Sequence, residues 1–497
     1  DSVERARTYL KAIVGDDVAP ERIDAFLTSG PDAIEFLERH TSHVRFQWVR
    51  GYSDYHPEEP GGEPNGRTME PVPFDARKLG PEEEALNRNP MMTGPAGLWL
   101  TQSDYRKLTQ VLTTWAGRRT AMKVGIRTFV TKALRRHMVS LGAAGIARFR
   151  MALKEAGIPL WLSTPMLGLI EDGGAVIGVR AERDGVPISI RARRGVLLAA
   201  GGFEKNEEMR KRYQAEPINA VWTSGSAGNT GDAISAGRDL GAALDLMEDA
   251  WWGPSVDTGG PAIFILAERS LPGAIVVNGA GRRYVNEASP YVNFVHRMYE
   301  LHGRQGVSHI PSFLIVDQEY RNKYPFSAVP PRRPFPKVWT KYGIVTTADT
   351  LAELAEKIGV PAGALEESVD GYNALVATGR DTDFGKGDSA YDRYYGDPAV
   401  KPNPCLAPIG KPPFYAFRLV PGDLGTKGGL VTDEHARVLR PDGTPIPGMY
   451  AAGNTSAAVM GHEYAGAGAT IGPAITFGYV AACHMAAGVR AGTGATA

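Results

Sequence analysis

Two segments near the end of the chain combine residue types suited to chemistry: Gly448-Met-Tyr-Ala-Ala-Gly-Asn454, and Gly466-Ala-Gly468-Ala-Thr-Ile-Gly472-Pro-Ala-Ile-Thr-Phe-Gly478. The first reads as a strand ending at Gly453, the second as a helix starting near Thr470. Glycines there let the backbone approach a ligand closely. The free N–H groups and positive end of such a helix favour an anionic partner. The same pattern also serves a plain helix start. Two further breaks repeat it, Ala199-Ala200-Gly201-Gly202 after an apolar run and Thr230-Gly231-Asp232-Ala233 at another helix start. Tyr52, Tyr55 and His56 cluster ahead of a Gly/Pro-rich loop, 56–65. Such a loop is surface-like, but its aromatics imply that it lies over something apolar. Any of these tyrosines also reads as a buried residue with a satisfied hydroxyl. His462 reads as structural, no His/Cys/Asp cluster implies a metal, and no Ser-His-Asp arrangement is legible. Cys405 and Cys483 match no metal spacing and read as two buried thiols.

The elements that must position these residues are read from periodicity. Residues 2–41 read as helices, with Leu10, Ile13, Val14, Phe26, Leu27, Phe36 and Leu37 at helical spacings. Residues 103–150 read as helical and very basic, with eleven Lys/Arg against the single acid Asp104. That stretch is a solvated face, a subunit contact or a helix lying on a membrane surface. Residues 165–193 predict a three-stranded antiparallel meander, with turns at Asp172-Gly173-Gly174 and Asp184-Gly185. The apolar run 195–200 predicts a fully buried parallel strand. From Trp251 to about Val420, Pro and aromatics are frequent and two helices are expected, near 348–357 and 365–378. That region reads as a second unit inserted in the first. The expected division is 1–252 and 425–497 for one domain and 253–424 for the other.

The 497 residues favour two or three domains. Lys+Arg and Asp+Glu balance at 55 each, which argues against nucleic acid as a main partner. No apolar run of about 18 residues predicts a spanning helix, and low cysteine usage suits a reducing cytoplasm.

The order of these features is more specific than any one of them: meander, apolar strand with Gly-Gly, Thr-Gly-Asp, inserted unit, then Ala-Gly-Asn. It resembles the fumarate-reductase-like superfamily of FAD enzymes. That likeness implies an α/β fold, a Rossmann-like FAD-binding domain with an inserted α+β catalytic domain. Within the superfamily, 422–430, Ala452-Gly-Asn-Thr-Ser456, Tyr464-x-Gly-x-Gly468, Arg283-Tyr-Val-Asn-Glu287, Pro290-Tyr291 and Trp251-Trp252 resemble the 3-ketosteroid Δ1-dehydrogenases. The resemblance implies FAD as cofactor, a 3-ketosteroid as substrate and a quinone or other electron acceptor. It implies that Tyr464 and the Gly468 amide bind the C3 carbonyl, that Tyr291 removes the C2 proton and that Tyr55 supports it. Hydride would pass from C1 to flavin N5. The implied cofactor contacts are Met166, Ala200, Gly201, Gly202, Gly231, Asp232, Gly453, Asn454, Ala469, Thr470, Ile471, Gly472 and Pro473. A helix start near Thr470 would stabilise the negative charge of a reduced flavin.

The chain departs from that family in three places. No G-x-G-x-x-G unit with an acid about 20 residues on is present, and Asp1 aligns after it. The chain is therefore expected to be cut or recorded short, or completed by a separate segment. Ala465 and Ala467 replace prolines and Glu463 a small polar residue, which predicts a looser ketone loop. A fumarate or enoate reductase on the same scaffold is one alternative, but it needs an Arg/His set for a dicarboxylate. A Δ4(5α)-3-ketosteroid dehydrogenase and a non-catalytic, FAD-free fragment are the others.

Overall fold

The computed structural model describes residues 2–87 and 98–492; Asp1, where the sequence starts, lies outside them. Two helices open the chain, Val3–Val14 and Pro20–His40. The Ser2 hydroxyl caps the first by accepting from the Arg5 N–H. Pro20 starts the second at a position where a missing N–H costs nothing. The second helix packs against the C-terminal helix Ile471–Gly492, with Phe36 and Tyr479 ring centroids 5.4 Å apart.

The meander forms as the periodicity predicts. Met166–Asp172, Ala175–Arg183 and Val186–Arg191 pair antiparallel in chain order. Gly173, Gly174, Asp184 and Gly185 take positive φ at its two turns. Val196–Leu198 pairs parallel with Pro445–Ala451, and Arg437–Leu439 adds a third strand on the far side. The expectation of full burial for 195–200 does not hold. Val196–Leu198 is the edge of this sheet among the described residues, and Leu197 and Ala200 are exposed. A continuous apolar run needs cover on both faces to be buried, and here only one face has it: Leu198 is buried and Val196 packs partly buried against the same core, while Leu197 on the other face is exposed.

The middle of the chain builds a larger antiparallel sheet. Its order is Ile263–Phe264, Ala250–Val256, Phe414–Thr426, Ser312–Asp317, Ala274–Val277, and Thr346–Ala348 also pairs with Phe414–Thr426. Alternate residues of these strands enter two different cores. Ile275, Val277, Ile315 and Ala416 pack under the helices Leu351–Ile358 and Ala362–Thr378. Val276, Leu314 and Trp252 face the helix Tyr291–Leu301 with Phe294, Val295 and Met298. Because both faces are covered, Ala250–Val256 and Ala274–Val277 are buried along their whole length. The end of Phe414–Thr426 is pinned by a buried ion pair. Asp423 accepts from Arg210 Nη1 at 2.7 Å, from Thr223 Oγ1 at 2.5 Å and from the Gly425 N–H at 3.0 Å.

Cys405 is buried as expected, but Cys483 is exposed on the outer side of the C-terminal helix. Among the described residues no helix is long and apolar enough to cross a membrane. No group of His, Cys, Asp or Glu there is arranged to hold a metal ion.

Candidate active site

Three tyrosines from three distant segments meet in one buried pocket. Tyr55 comes from the loop after Trp48, Tyr291 from the first turn of its helix, and Tyr464 from the loop before the C-terminal helix. The Tyr55 and Tyr291 hydroxyls are 3.0 Å apart. The Tyr55 and Tyr464 rings stack at 5.0 Å, and the Tyr291 ring meets Tyr464 edge-on at 5.3 Å. Trp251 and Phe264 close the sides, edge-on to Tyr464 and Tyr291. Burial pushes the Tyr55 and Tyr291 phenols well above their ordinary range and raises Tyr464 as well.

The Tyr464 hydroxyl lies 3.2 Å from Thr470 Oγ1. If Thr470 donates, the phenolic hydrogen of Tyr464 is left to donate to a ligand. Gly468 takes φ +94°, and a Cβ built on it meets nothing within 4 Å, so its surroundings are open. Its carbonyl accepts from the Gly472 N–H at 2.7 Å, while its own N–H has no acceptor among the described residues. A phenol and a free amide four residues apart can grip one carbonyl oxygen as an oxyanion hole does.

The loop carrying them is not loose, although Ala465 and Ala467 take the place of prolines. The Ala465 carbonyl accepts from Tyr9 Oη at 2.7 Å and from the Tyr55 N–H at 3.1 Å. The Ala467 carbonyl accepts from Thr68 Oγ1 at 3.1 Å. Glu463 takes a hydrogen bond from Asn293, two residues past Tyr291, and pairs with His56, one residue past Tyr55. Burial pushes the Glu463 carboxyl up, but His56 and Asn293 outweigh it and hold it at about 2. One carboxylate thus ties together the three segments that supply the tyrosines. His462 bridges Asp17 and Glu248, both at 2.9 Å, in the structural role expected of it. Beneath the loop, Asp249 pairs with Lys427 at 3.0 Å and accepts from Trp252 and His296; burial pushes its carboxyl up, but Lys427 and His296 outweigh it and hold it at about 2.

Several residues of the pocket escape sequence reasoning. Tyr395 donates to the Tyr52 hydroxyl at 2.9 Å, Tyr52 lies 3.4 Å from Tyr55, and Gln102 donates to Tyr395 at 2.8 Å. Tyr391 packs against Tyr55 with centroids 4.7 Å apart. The run Tyr391-Asp-Arg-Tyr-Tyr395 on a short helix was the available signal, but its distance in sequence from Tyr55 concealed it.

The residues expected at the cofactor divide into groups. Gly453, Asn454, Ala469, Thr470 and Pro473 line one cleft together with Trp251, Phe477 and Arg22. Gly201 and Gly202 do not line it themselves; Thr455, between the lining residues Asn454 and Ser456, donates its hydroxyl to the Gly201 carbonyl at 2.9 Å. Gly231, the left-handed N-cap of the helix Asp232–Asp239, donates to the Gly202 carbonyl at 3.0 Å. A Cβ on Gly202 would sit 2.1 Å from Thr426 Oγ1, which explains glycine there. Met166 packs with Leu198 and Ala451 under the parallel strands and does not line the cleft, and neither do Ala200, Ile471 or Gly472. Arg22 was not anticipated. It is buried, its Nη2 donates to the Ala457 carbonyl, and its Nε has no partner. A buried cation with an orphaned N–H, facing the start of a helix, fits an anionic cofactor such as FAD.

The family profile described as FAD binding domain matches residues 1–471. A 3-oxosteroid 1-dehydrogenase of Mycobacterium tuberculosis is 49% identical over 98% of this chain and 87% of its own. The 3-ketosteroid delta1-dehydrogenase of Sterolibacterium denitrificans, solved with 1,4-androstadiene-3,17-dione, superposes with a TM-score of 0.94 at 44% identity, over 98% of this chain and 89% of its own. A flavocytochrome c3 fumarate reductase in its open conformation shares the fold alone, with a TM-score of 0.58 at 21% identity over 98% of this chain and 67% of its own. On these grounds the chain belongs to the FAD binding domain family, among the 3-oxosteroid 1-dehydrogenases.

Proposed function

We propose that this chain catalyses the FAD-dependent 1,2-desaturation of 3-ketosteroids. The observation that carries the reading is the meeting of the Tyr55, Tyr291 and Tyr464 side chains in one buried pocket beside the open Gly468 amide. Tyr464 and Gly468 donate to the C3 carbonyl oxygen, which acidifies the adjacent C2–H. Tyr291 takes the C2 proton, and Tyr55 steadies the charge on its oxygen by hydrogen bonding. The C2–H electron pair becomes the C1–C2 double bond as hydrogen and its electron pair leave C1. The oxidising capacity for that departure is what FAD supplies when bound. Gly453, Asn454, Ala469, Thr470, Pro473 and Arg22 would hold it in their cleft, and the Gly201–Gly202 and Gly231–Asp232 turns would extend the contact. Residues 253–424 form the unit that brings Tyr291 to the site, and the flanking segments bring the rest.

Product analysis tests this. Incubating the full-length holoenzyme with a Δ4-3-ketosteroid and an artificial electron acceptor is expected to yield the 1,2-desaturated ketone. A saturated 3-ketosteroid desaturated only at C4–C5 would reassign the reaction. A colourless protein that stays inactive with added FAD would sink it.

The enzyme also docks on a membrane surface through the helix Trp115–Ala133. Its spacing puts Trp115, Met122, Ile126 and Phe129 on one face, where all four are exposed, Trp115 at 77% and Phe129 at 74%. Arg118, Arg119, Lys123 and Lys132 flank that face, and Gly117, Thr120, Val124 and Thr131 are buried opposite. An apolar stripe between cations suits an anionic bilayer. The same surface favours a lipid-soluble quinone as electron acceptor. Ile126→Glu with Phe129→Glu is expected to abolish co-sedimentation with phosphatidylserine vesicles while FAD content stays unchanged. Undiminished sedimentation would rule the helix out.

A further inference from the structure

The base requires something the pocket so far lacks. A phenol that accepts the C2 proton must first have lost its own, yet burial opposes ionisation of every tyrosine here. A nearby cation would offset this, and one is present. Arg269 is fully buried, with no carboxylate in ion-pair contact among the described residues. Its Nη1 donates to the Glu287 carbonyl at 2.5 Å and the Ser289 carbonyl at 2.7 Å. Its Nε and Nη2 have no hydrogen-bond partner. Burying an ion without a counter-ion is strongly unfavourable, and a turn made of two carbonyls does not call for a full charge.

The surroundings show where that charge is felt. The Tyr391 phenol is buried next to this guanidinium, which draws it down against the larger effect of burial, and Tyr52 is drawn down in the same sense but more weakly. Tyr391 packs on Tyr55, Tyr52 lies within reach of the Tyr55 hydroxyl, and Tyr55 meets Tyr291 at 3.0 Å. The neighbouring carboxylates have partners of their own, and Arg269 also draws Glu268 and Asp392 down. Glu287 pairs with Arg283 and Lys386. Asp392 accepts from Asn286 and the Gly387 N–H, and burial pushes it to about 6. Glu268 accepts from the Leu266 and Ser327 amides.

We infer that Arg269 is a positioning residue for the base: its guanidinium, which has no carboxylate in ion-pair contact among the described residues, acts through Tyr391 and Tyr52 and supplies the positive charge that lets the Tyr55–Tyr291 pair hold one phenolate inside an apolar pocket. The proton lost from the pair goes to solvent. The phenolate then takes the C2 proton and the pair becomes neutral again, so the charge of Arg269 is balanced before the reaction and free after it. The hydrogen bonds to the Glu287 and Ser289 carbonyls also fix the turn that leads into Tyr291.

The inference rests on Tyr291 as the base, and its test separates the two. The readout is kcat/KM against pH, above pH 7 to avoid Asp392, for wild-type holoenzyme, Arg269→Met and Arg269→Lys. Loss of the charge is expected to move the ascending limb up by about one pH unit or more, so that Arg269→Met recovers activity as pH rises. Arg269→Lys keeps the limb near that of the wild type. A uniform loss at every pH, with the limb unmoved, would overturn the inference and leave Arg269 a clamp on its turn. Ultraviolet titration of tyrosinate in the wild-type holoenzyme gives a second measurement that needs no arginine variant to fold. One phenol is expected to ionise ahead of the others, a step missing in Tyr291→Phe; no early step overturns the inference. Near-normal turnover of Tyr291→Phe would instead overturn the base assignment itself.

Discussion

Tyr464→Phe is expected to lower kcat by about 10²–10³-fold, the usual cost of one oxyanion-hole donor, with FAD still bound. The variant keeps the ring, so the stack on Tyr55 at 5.0 Å and the edge contact with Trp251 at 4.9 Å survive. What disappears is the hydroxyl and its 3.2 Å contact with Thr470. Thr470 is only partly buried, so its freed hydroxyl can turn to water and the cost in stability is small. Because the carbonyl oxygen gains charge as the C2 proton leaves, the lost bond matters most in the transition state. KM is therefore expected to change far less than kcat. Steady-state kinetics with flavin absorbance as the occupancy check will decide it. A variant that keeps near-normal kcat would remove Tyr464 from the ketone site.

Tyr291→Phe is expected to lower kcat by about 10²–10⁴-fold, the range for loss of a positioned general base. Pro290 caps the helix start and the ring packs edge-on against Tyr55, Tyr464 and Phe264, so the benzyl side chain has every reason to stay in place. The Tyr55 hydroxyl loses its 3.0 Å partner but retains Tyr52 at 3.4 Å. The two variants separate the roles. Tyr291→Phe should bind steroid normally, seen as an unchanged ligand-induced shift of the flavin spectrum, yet lose exchange of the C2 hydrogen with deuterated water. Persistence of that exchange at the wild-type rate would assign the proton to another group.

Much of the fold was legible because its cues are local. The meander was read from alternation and two Asp/Gly turns, which decide the pairing of neighbouring strands without help from the rest of the chain. The helices Val3–Val14 and Glu207–Tyr213 begin at the capping residues Ser2 and Asn206, and Pro20–His40 begins at its proline. The strand at Val196–Leu198 was found but its burial was misjudged, because hydrophobicity records what a segment tolerates and not whether a neighbour covers it. The looseness expected of the ketone loop failed for a related reason. Backbone stiffness from proline is visible in sequence, whereas the bonds from Tyr9, Tyr55 and Thr68 to the Ala465 and Ala467 carbonyls are not.

The Gly453–Gly478 block shows where the division lies. By itself the sequence determined that a strand turns into a helix there, that glycines leave amides free, and that Tyr464 and Gly468 share one short loop. Those properties follow from residue type and spacing within a few positions. The resemblance implied that Tyr55 and Tyr291 share a site with Tyr464, but only the tertiary structure brings these distant residues into ring contact with it and shows Tyr395, Tyr391 and Arg269 behind them. Nothing in its sequence neighbourhood, between Glu268 and Ser270, singles Arg269 out. Long-range packing buries it with no carboxylate in ion-pair contact among the described residues, and its chemical meaning comes from that burial.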